Sequence, residues 1–356
     1  MAPSRARHYL GGVSSQDRAS RFPGALDHEF TRRDRMVENM QRDRQDDPRN
    51  SVWVRFGALT EVGRTRKENQ DAFMVSELVA RGDAVGLFLV SPTPVVPDPF
   101  QGPHGSPGSQ GDRDPVFRLG TRGALLAVAD GMGGPAGGAR ASGLALAAVS
   151  RSIERSWQPG SRAEPEAFGA ALLNAVAEAN RKIHEESRAE PALRGMGTTL
   201  TLAGILSGTL HIVQVGDSRG YIYRGGSLVQ VTRDQSMVQE LIDAGVITEE
   251  EARVSPQRNV ILKALGTEPQ VESVITSVEL GRGDLVLLCS DGLAGVLTSA
   301  EITAILNAPG SLTRRCRALV DAANDAGGPD NITAVLAEVD GEPLPVEVGA
   351  GAPPSE

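Results

Sequence analysis

The chain has 356 residues, 40% of them hydrophobic and 4% aromatic, with 36 basic against 45 acidic side chains and a formal charge of −9. That composition can bury one large core or two ordinary ones, and its acidic balance argues against a nucleic-acid or other polyanion partner. No run nears the ~18 consecutive apolar residues of a membrane span, the first thirty residues lack a signal-peptide pattern, and the only cysteines, Cys289 and Cys316, exclude a disulfide framework and a four-cysteine zinc site. A cytoplasmic protein without a membrane partner is expected.

Residues 1–50 hold ten Arg and eight acidic residues with scattered apolar positions. They read as a disordered leader, with a short helix around 27–44, because so little apolar surface cannot offset the entropy of ordering. One domain is expected over 51–340. Alternating or β-branched runs predict strands at 52–61, 72–79, 84–90 and 123–129. Between them, residues 91–122 carry seven Pro and five Gly and read as a loop insertion. Helices follow at 138–157 and 164–186, each with one apolar stripe. Strands come next at 198–206, 209–215, 220–223 and 228–231, with hairpin turns at Ser207-Gly208 and Gly225-Gly226. Short helices at 236–244 and 249–253, strands at 271–280 and 284–290, helices at 299–307 and 312–326, and a strand at 332–339 complete the domain. The Pro-rich residues 341–356 read as a disordered tail. Hairpin-linked strands with helices arriving in pairs imply antiparallel sheets covered by helices, an α+β class, instead of βαβ units.

Three aspartates share one context. Asp130, Asp291 and Asp330 each stand where an apolar strand meets a glycine-containing turn, and Asp71 precedes another strand. Asp-Gly is an ordinary turn pair, but several acids at strand ends suggest a convergent cluster that would repel itself unless cations filled it. An all-oxygen donor set without His or Cys selects Mg²⁺ or Mn²⁺. Two such ions about 3.5–4 Å apart can activate one bridging water for in-line attack on phosphorus, which makes phosphoester hydrolysis the natural chemistry. Arg66, five residues before Asp71, supplies a forked cation for a phosphate.

Other chemistries fail on spacing. A cysteine nucleophile that grips phosphate with an Arg six positions later finds Gly295 after Cys289 and Ala322 after Cys316. The five His residues are dispersed, and none of Lys67, Lys182 and Lys263 follows a phosphate-cradling Gly-rich loop. Gly131-Met132-Gly133-Gly134-Pro135-Ala136 imitates a dinucleotide fingerprint, but Asp130 would put a carboxylate against the pyrophosphate.

The motifs Arg66-Lys67-Glu68-Asn69-Gln70-Asp71, Val128-Ala129-Asp130-Gly131-Met132-Gly133-Gly134, Gly195-Met196-Gly197-Thr198-Thr199-Leu200, Val215-Gly216-Asp217-Ser218-Arg219, Ser290-Asp291-Gly292-Leu293 and Asp330-Asn331-Ile332-Thr333 occur in this order. Over residues 56–339 the chain thereby resembles the metal-dependent protein phosphatase (PPM, type 2C) family, in particular its bacterial members. The resemblance implies a four-layer α/β-β/α sandwich of two antiparallel sheets and hydrolysis of phosphoserine and phosphothreonine on proteins, opposing partner Ser/Thr kinases. It implies two Mn²⁺ or Mg²⁺ ions held by Asp130, the backbone carbonyl of Gly131, Asp291 and Asp330. Asp71 would hold metal-bound water and Arg66 the substrate phosphate, and the working unit is expected to be a monomer. Three positions depart from the family pattern: Arg194 stands where an acidic ligand to a third ion is common, Gln70 where a Glu often precedes Asp71, and Gln235 where a His often follows Asp234. Arg194 makes a third ion doubtful, and together with Gln70 it opens the alternative of a pseudophosphatase that binds phosphoproteins without hydrolysing them.

Overall fold

The structure is a computed structural model that describes residues 52–78, 87–90, 114–158, 164–342 and 344. Thirteen strands and seven α-helices are defined among them. In chain order the strands are β1 (Val52–Glu61), β2 (Asp71–Glu77), β3 (Leu87–Val90), β4 (Val116–Arg118), β5 (Ala124–Met132), β6 (Gly197–Thr198), β7 (Leu200–Leu206), β8 (Thr209–Val215), β9 (Arg219–Arg224), β10 (Ser227–Gln230), β11 (Val274–Glu279), β12 (Asp284–Cys289) and β13 (Ile332–Gly341). The helices are α1 (Gly134–Ser156), α2 (Pro165–Ala189), α3 (Met237–Asp243), α4 (Glu249–Val254), α5 (Asp291–Ala294), α6 (Ser299–Asn307) and α7 (Leu312–Asp325).

Two antiparallel sheets result, one ordered β10-β9-β12-β13-β1-β4 and the other β11-β8-β7-β5-β2-β3, with β6 paired to β5. Strand alternation assigns three apolar layers. Phe73, Val75, Leu126 and Val128 face Val286, Leu288, Val335 and Ala337 between the sheets. On the outer face of the second sheet, Met74, Leu125 and Ala127 meet Leu146, Ile153, Phe168 and Leu172 of α1 and α2. On the outer face of the first, Leu287, Ala334 and Leu336 meet Ile302, Cys316, Leu319 and Val320 of α6 and α7. The α+β sandwich expected from the pattern is therefore present, with helix layers outside both sheets. Apolar burial of this extent is its main stabilising term.

The structure revises several local readings. Within the 91–122 segment read as loop, β4 pairs with the outer edge of β1, Trp53 opposite Arg118 and Arg55 opposite Val116. Three residues are too few to show a period, so tertiary pairing decides this strand. Asp114, just before it, accepts from the backbone of Leu312 and Thr313 at 2.7 and 2.9 Å and so caps α7. At the tail, β13 runs to Gly341 opposite Val52, and Leu344 is buried in the layer between the sheets. The predicted strand 198–206 is interrupted at Thr199, and α1 begins at Gly134 instead of 138 because Pro135 suits a first turn. Expectations for the leader 1–50, the strand residues 84–86, the remainder of 91–113 and the tail beyond 344 lie outside the described residues.

Candidate metal centre

The acidic residues named from sequence meet at one end of the sandwich. The register of β2 against β5 sets Asp71 directly opposite Asp130. Asp291 opens α5 where β12 ends, and Asp330 lies two residues before β13. Asp130, Gly131, Asp291, Asp330 and Arg66 line one cavity of about 550 Å³, with Lys67, Gln70, Met132, Asn259 and Ile261 among its other walls.

Residues of the other motifs hold Asp71 and Asp130 in place. Asp71 is fully buried, and its Oδ2 accepts from Ser290 Oγ at 2.7 Å and Thr333 Oγ1 at 2.6 Å. A relay backs the second contact: Asn69 Nδ2 lies 2.8 Å from Thr60 Oγ1, which lies 2.8 Å from Thr333 Oγ1. The backbone of Asp130 is clamped by two threonines, with Thr198 Oγ1 donating to its carbonyl at 2.8 Å and its N–H donating to Thr199 Oγ1 at 3.0 Å. The same Thr199 hydroxyl lies 2.8 Å from Ser218 Oγ, which ties in the loop carrying Asp217. Asn331 staples the Arg66 loop through its amide, donating to the carbonyls of Val62 and Glu68 at 3.0 and 2.9 Å and accepting from Gln70 N–H at 2.8 Å. At Gly131 the backbone of α1 comes so close that a Cβ would fall 2.1 Å from the Gly138 carbonyl oxygen.

The electrostatics are those of a crowded acidic cluster. Burial, and secondarily the facing Asp71, push the Asp130 carboxyl well up from its ordinary value. Burial raises Asp71 to about 7, and burial with the neighbouring Asp330 also raises Asp291. Buried oxygens Asp71 Oδ1, Asp217 Oδ1 and Asp291 Oδ1 have no hydrogen-bond partner. Arg66 gives the cluster a direct cation, Nη2 donating to Asp330 Oδ2 at 2.6 Å.

Asp217 is a member that the sequence reading did not single out. It is buried and raised to about 8, by burial first and by Asp291 second. Its signal was a strand-to-turn context like that of Asp130 and Asp291, but Ser218 follows it where Gly follows those two. Gln70, which stands where a Glu often precedes Asp71, donates its amide to the Gly134 carbonyl at 2.8 Å and has its Oε1 against Gly138, so the side chain fastens the Arg66 loop to the start of α1. Gln235 joins the Asp217 turn to the segment bearing α3, with Gly216 N–H donating to Gln235 Oε1 at 2.8 Å and Gln235 N–H to the Gly216 carbonyl at 3.0 Å. Arg194 is exposed at the end of the 3₁₀ turn Pro191–Leu193 and carries no ion pair among the described residues.

These residues suit hard divalent cations. Their donors are all oxygens, three of them buried and unpartnered, and their mutual repulsion is the kind that bound cations relieve. Among the described residues no three acidic, His or Cys side chains close on a point tightly enough to mark an ion position unaided. Arg66 meanwhile occupies one oxygen of Asp330.

A two-sheet sandwich whose sheet ends gather aspartates beside an arginine is an arrangement suited to holding divalent cations against a phosphate. The sequence model of the family described as protein phosphatase 2C matches residues 112–337, and the chain belongs to that family. It is 42% identical over 230 residues to the serine/threonine protein phosphatase PstP of Mycobacterium tuberculosis, a match that covers 64% of this chain and 43% of the relative's length. It is 37% identical over 229 residues to the serine/threonine phosphatase stp of Listeria monocytogenes, covering 64% of this chain and 90% of that protein. The structure superposes on the crystal structure of the M. tuberculosis phosphatase with a TM-score of 0.61 at 34% identity, covering 81% of this chain and 99% of that one. A second crystal structure, of the PstP catalytic domain in complex with two manganese ions, matches with a TM-score of 0.60 at 33% identity, over 81% of this chain and 99% of that chain.

Proposed function

We propose that the chain is a divalent-metal-dependent protein serine/threonine phosphatase. One observation carries the reading: Asp71, Asp130, Asp291 and Asp330 are brought together at the sheet ends with Arg66 beside them. Asp130, the Gly131 carbonyl, Asp291 and Asp330 would hold two Mn²⁺ or Mg²⁺ ions, and the manganese-bound relative supports two. When bound, the ions supply Lewis-acid polarisation of the phosphoryl oxygens and a nucleophile available at neutral pH.

The chain's own residues do the rest. Arg66 presents a planar fork to the phosphate dianion and fixes its orientation for in-line attack. Asp71 has Oδ2 immobilised by Ser290 and Thr333, which leaves Oδ1 to orient the attacking water and accept its proton. Asp217 adds a further buried carboxylate behind Asp291.

The substrates in this reading are proteins phosphorylated on serine or threonine, and the partners are the kinases that modify them. The chain acts as a monomer in the cytoplasm, where its two buried, unpaired cysteines suit a reducing compartment. Hydrolysis of a phosphothreonine peptide by the purified chain, followed over a Mn²⁺ titration, tests the proposal. Turnover that rises with Mn²⁺ and disappears with chelator is expected. Phosphopeptide binding without turnover at saturating Mn²⁺ would overturn it in favour of a pseudophosphatase.

A further inference from the structure

The residues of the acidic cluster are divided between the two sheets. Asp71 opens β2 and Asp130 and Gly131 lie in β5, both strands of the second sheet, whereas Asp291 follows β12 and Asp330 precedes β13, both of the first. The apolar layer between the sheets makes non-directional contacts. Asp71 crosses it with directional ones, its Oδ2 accepting from Ser290, just past β12, at 2.7 Å and from Thr333 of β13 at 2.6 Å. Thr60 stands behind this clamp. It is the cross-strand partner of Thr333 on β1, two residues beyond the inward-facing Ala58, and it does not line the cavity. The partners settle the direction of each proton. Asp71 N–H donates to Asn69 Oδ1 at 3.1 Å, which turns the Asn69 amide so that Nδ2 donates to Thr60 Oγ1 at 2.8 Å. The Thr60 hydroxyl is left to donate to Thr333 Oγ1 at 2.8 Å, and the Thr333 hydroxyl donates to the Asp71 carboxylate, which only accepts. Ser290 Oγ is aimed in a similar way, accepting from Thr333 N–H at 3.0 Å.

We infer that Thr60 is a positioning residue for the metal centre: its hydroxyl aims Thr333 at Asp71 and so fixes how the half of the cluster on one sheet meets the half on the other. The inference rests on the metal-dependent phosphatase reading and adds to it a residue outside the cavity. Hydrogen bonds in a buried chain polarise one another, so loss of the first link weakens the last. Without the Thr60 proton, Thr333 Oγ1 keeps its bond to Asp71 but loses the donor that holds its orientation. Misalignment on the scale of one net hydrogen bond corresponds to Mn²⁺ affinity about 3- to 10-fold weaker.

The test measures Mn²⁺ binding to the purified chain by titration calorimetry, beside thermal unfolding in chelator and hydrolysis of a phosphothreonine peptide. Thr60→Val keeps the branched shape and removes the hydroxyl. Its Mn²⁺ affinity should fall by the factor given above, and the Mn²⁺ concentration for half-maximal turnover should rise to match, with the peptide KM at saturating Mn²⁺ unchanged. Thr60→Ser returns the hydroxyl and should recover wild-type affinity. Thr60→Ala, which adds no methyl beside Asn69, should show the same loss as the valine variant and replaces it if valine prevents folding. Wild-type Mn²⁺ affinity in the valine and alanine variants, even with a lowered Tm, makes Thr60 a strand-stabilising residue and overturns the inference. A serine variant that binds Mn²⁺ as weakly as the valine variant also overturns it, because shape and not the hydroxyl would then matter. Calorimetry needs no turnover, so a wild-type chain that binds Mn²⁺ and hydrolyses no phosphopeptide defeats the phosphatase reading alone, and the Thr60 series still decides the role of this residue.

Discussion

Asp71 and Asp130 are direct cross-strand partners in the β2–β5 ladder. Like charges placed opposite one another destabilise a sheet, and here both carboxyls are also pushed up by burial. The fold therefore spends stability to assemble this cluster, as functional sites do.

Divalent cations should return that stability. Thermal unfolding of the chelated protein is expected at a lower Tm than with Mn²⁺, a ligand at one hundred times its Kd contributing about 2.7 kcal/mol. Asp291→Asn should flatten this Mn²⁺ dependence, raise the Tm of the chelated protein by removing one like charge, and cut phosphopeptide turnover about 100-fold or more. Turnover at the wild-type level in that variant would refute the role assigned to Asp291.

Gly131 tests the backbone donor. An alanine Cβ there would meet the Gly138 carbonyl oxygen at 2.1 Å and the Gln70 carbonyl oxygen at 2.7 Å, both of them main-chain atoms. Gly131→Ala should destabilise the chain by about 1–3 kcal/mol through this overpacking and displace the carbonyl offered to the ion. Chemical denaturation gives the first effect and the Mn²⁺ concentration for half-maximal activity the second. A variant unaltered in both would show that the close approach has no consequence.

Arg66 is held at 2.6 Å from Asp330, so phosphate and Asp330 compete for one guanidinium. Removing its charged hydrogen bonds to phosphate should lower kcat/KM about 10- to 100-fold in Arg66→Ala. Arg66→Lys, which keeps charge without the fork, should recover part of the loss. Because the alanine variant frees an oxygen of Asp330, its Mn²⁺ affinity measured by calorimetry should equal or exceed that of the wild type. Weaker Mn²⁺ binding would mean that Arg66 helps to build the ligand set instead of competing for it.

Away from the site, His211 on β8 is buried, its Nδ1 2.7 Å from Ser277 Oγ on β11 and its Nε2 unpartnered. Burial holds it below its ordinary value, partly offset by Glu166 and Glu279. The native state therefore keeps the neutral ring while the unfolded chain takes up a proton below about pH 6.5. The stabilisation it contributes is present above that pH and lost as pH falls. Between pH 7 and pH 5, wild-type Tm should drop more than that of His211→Gln. Parallel Tm curves would remove His211 as the cause.

What the sequence determined by itself was the order of elements and most of the candidate acids that the fold then brings together. Period-two apolar runs, hairpin turns and two long amphipathic helices suffice for antiparallel sheets under helix layers, because both signals are local. Asp130 and Asp291 announce themselves as acids between an apolar strand and a glycine, and Asp330 sits between a glycine pair and the final strand. Tertiary structure decided what depends on partners distant in the chain. β4 exists because β1 offers it an edge. Gln70 is a fastener because α1 begins beside it. Asp217 joins the cluster because Thr199 and Gln235 draw its loop inward. Asp71 became a partner of Asp130 only through strand register, which a one-residue slip would have undone by turning one carboxylate to the opposite face.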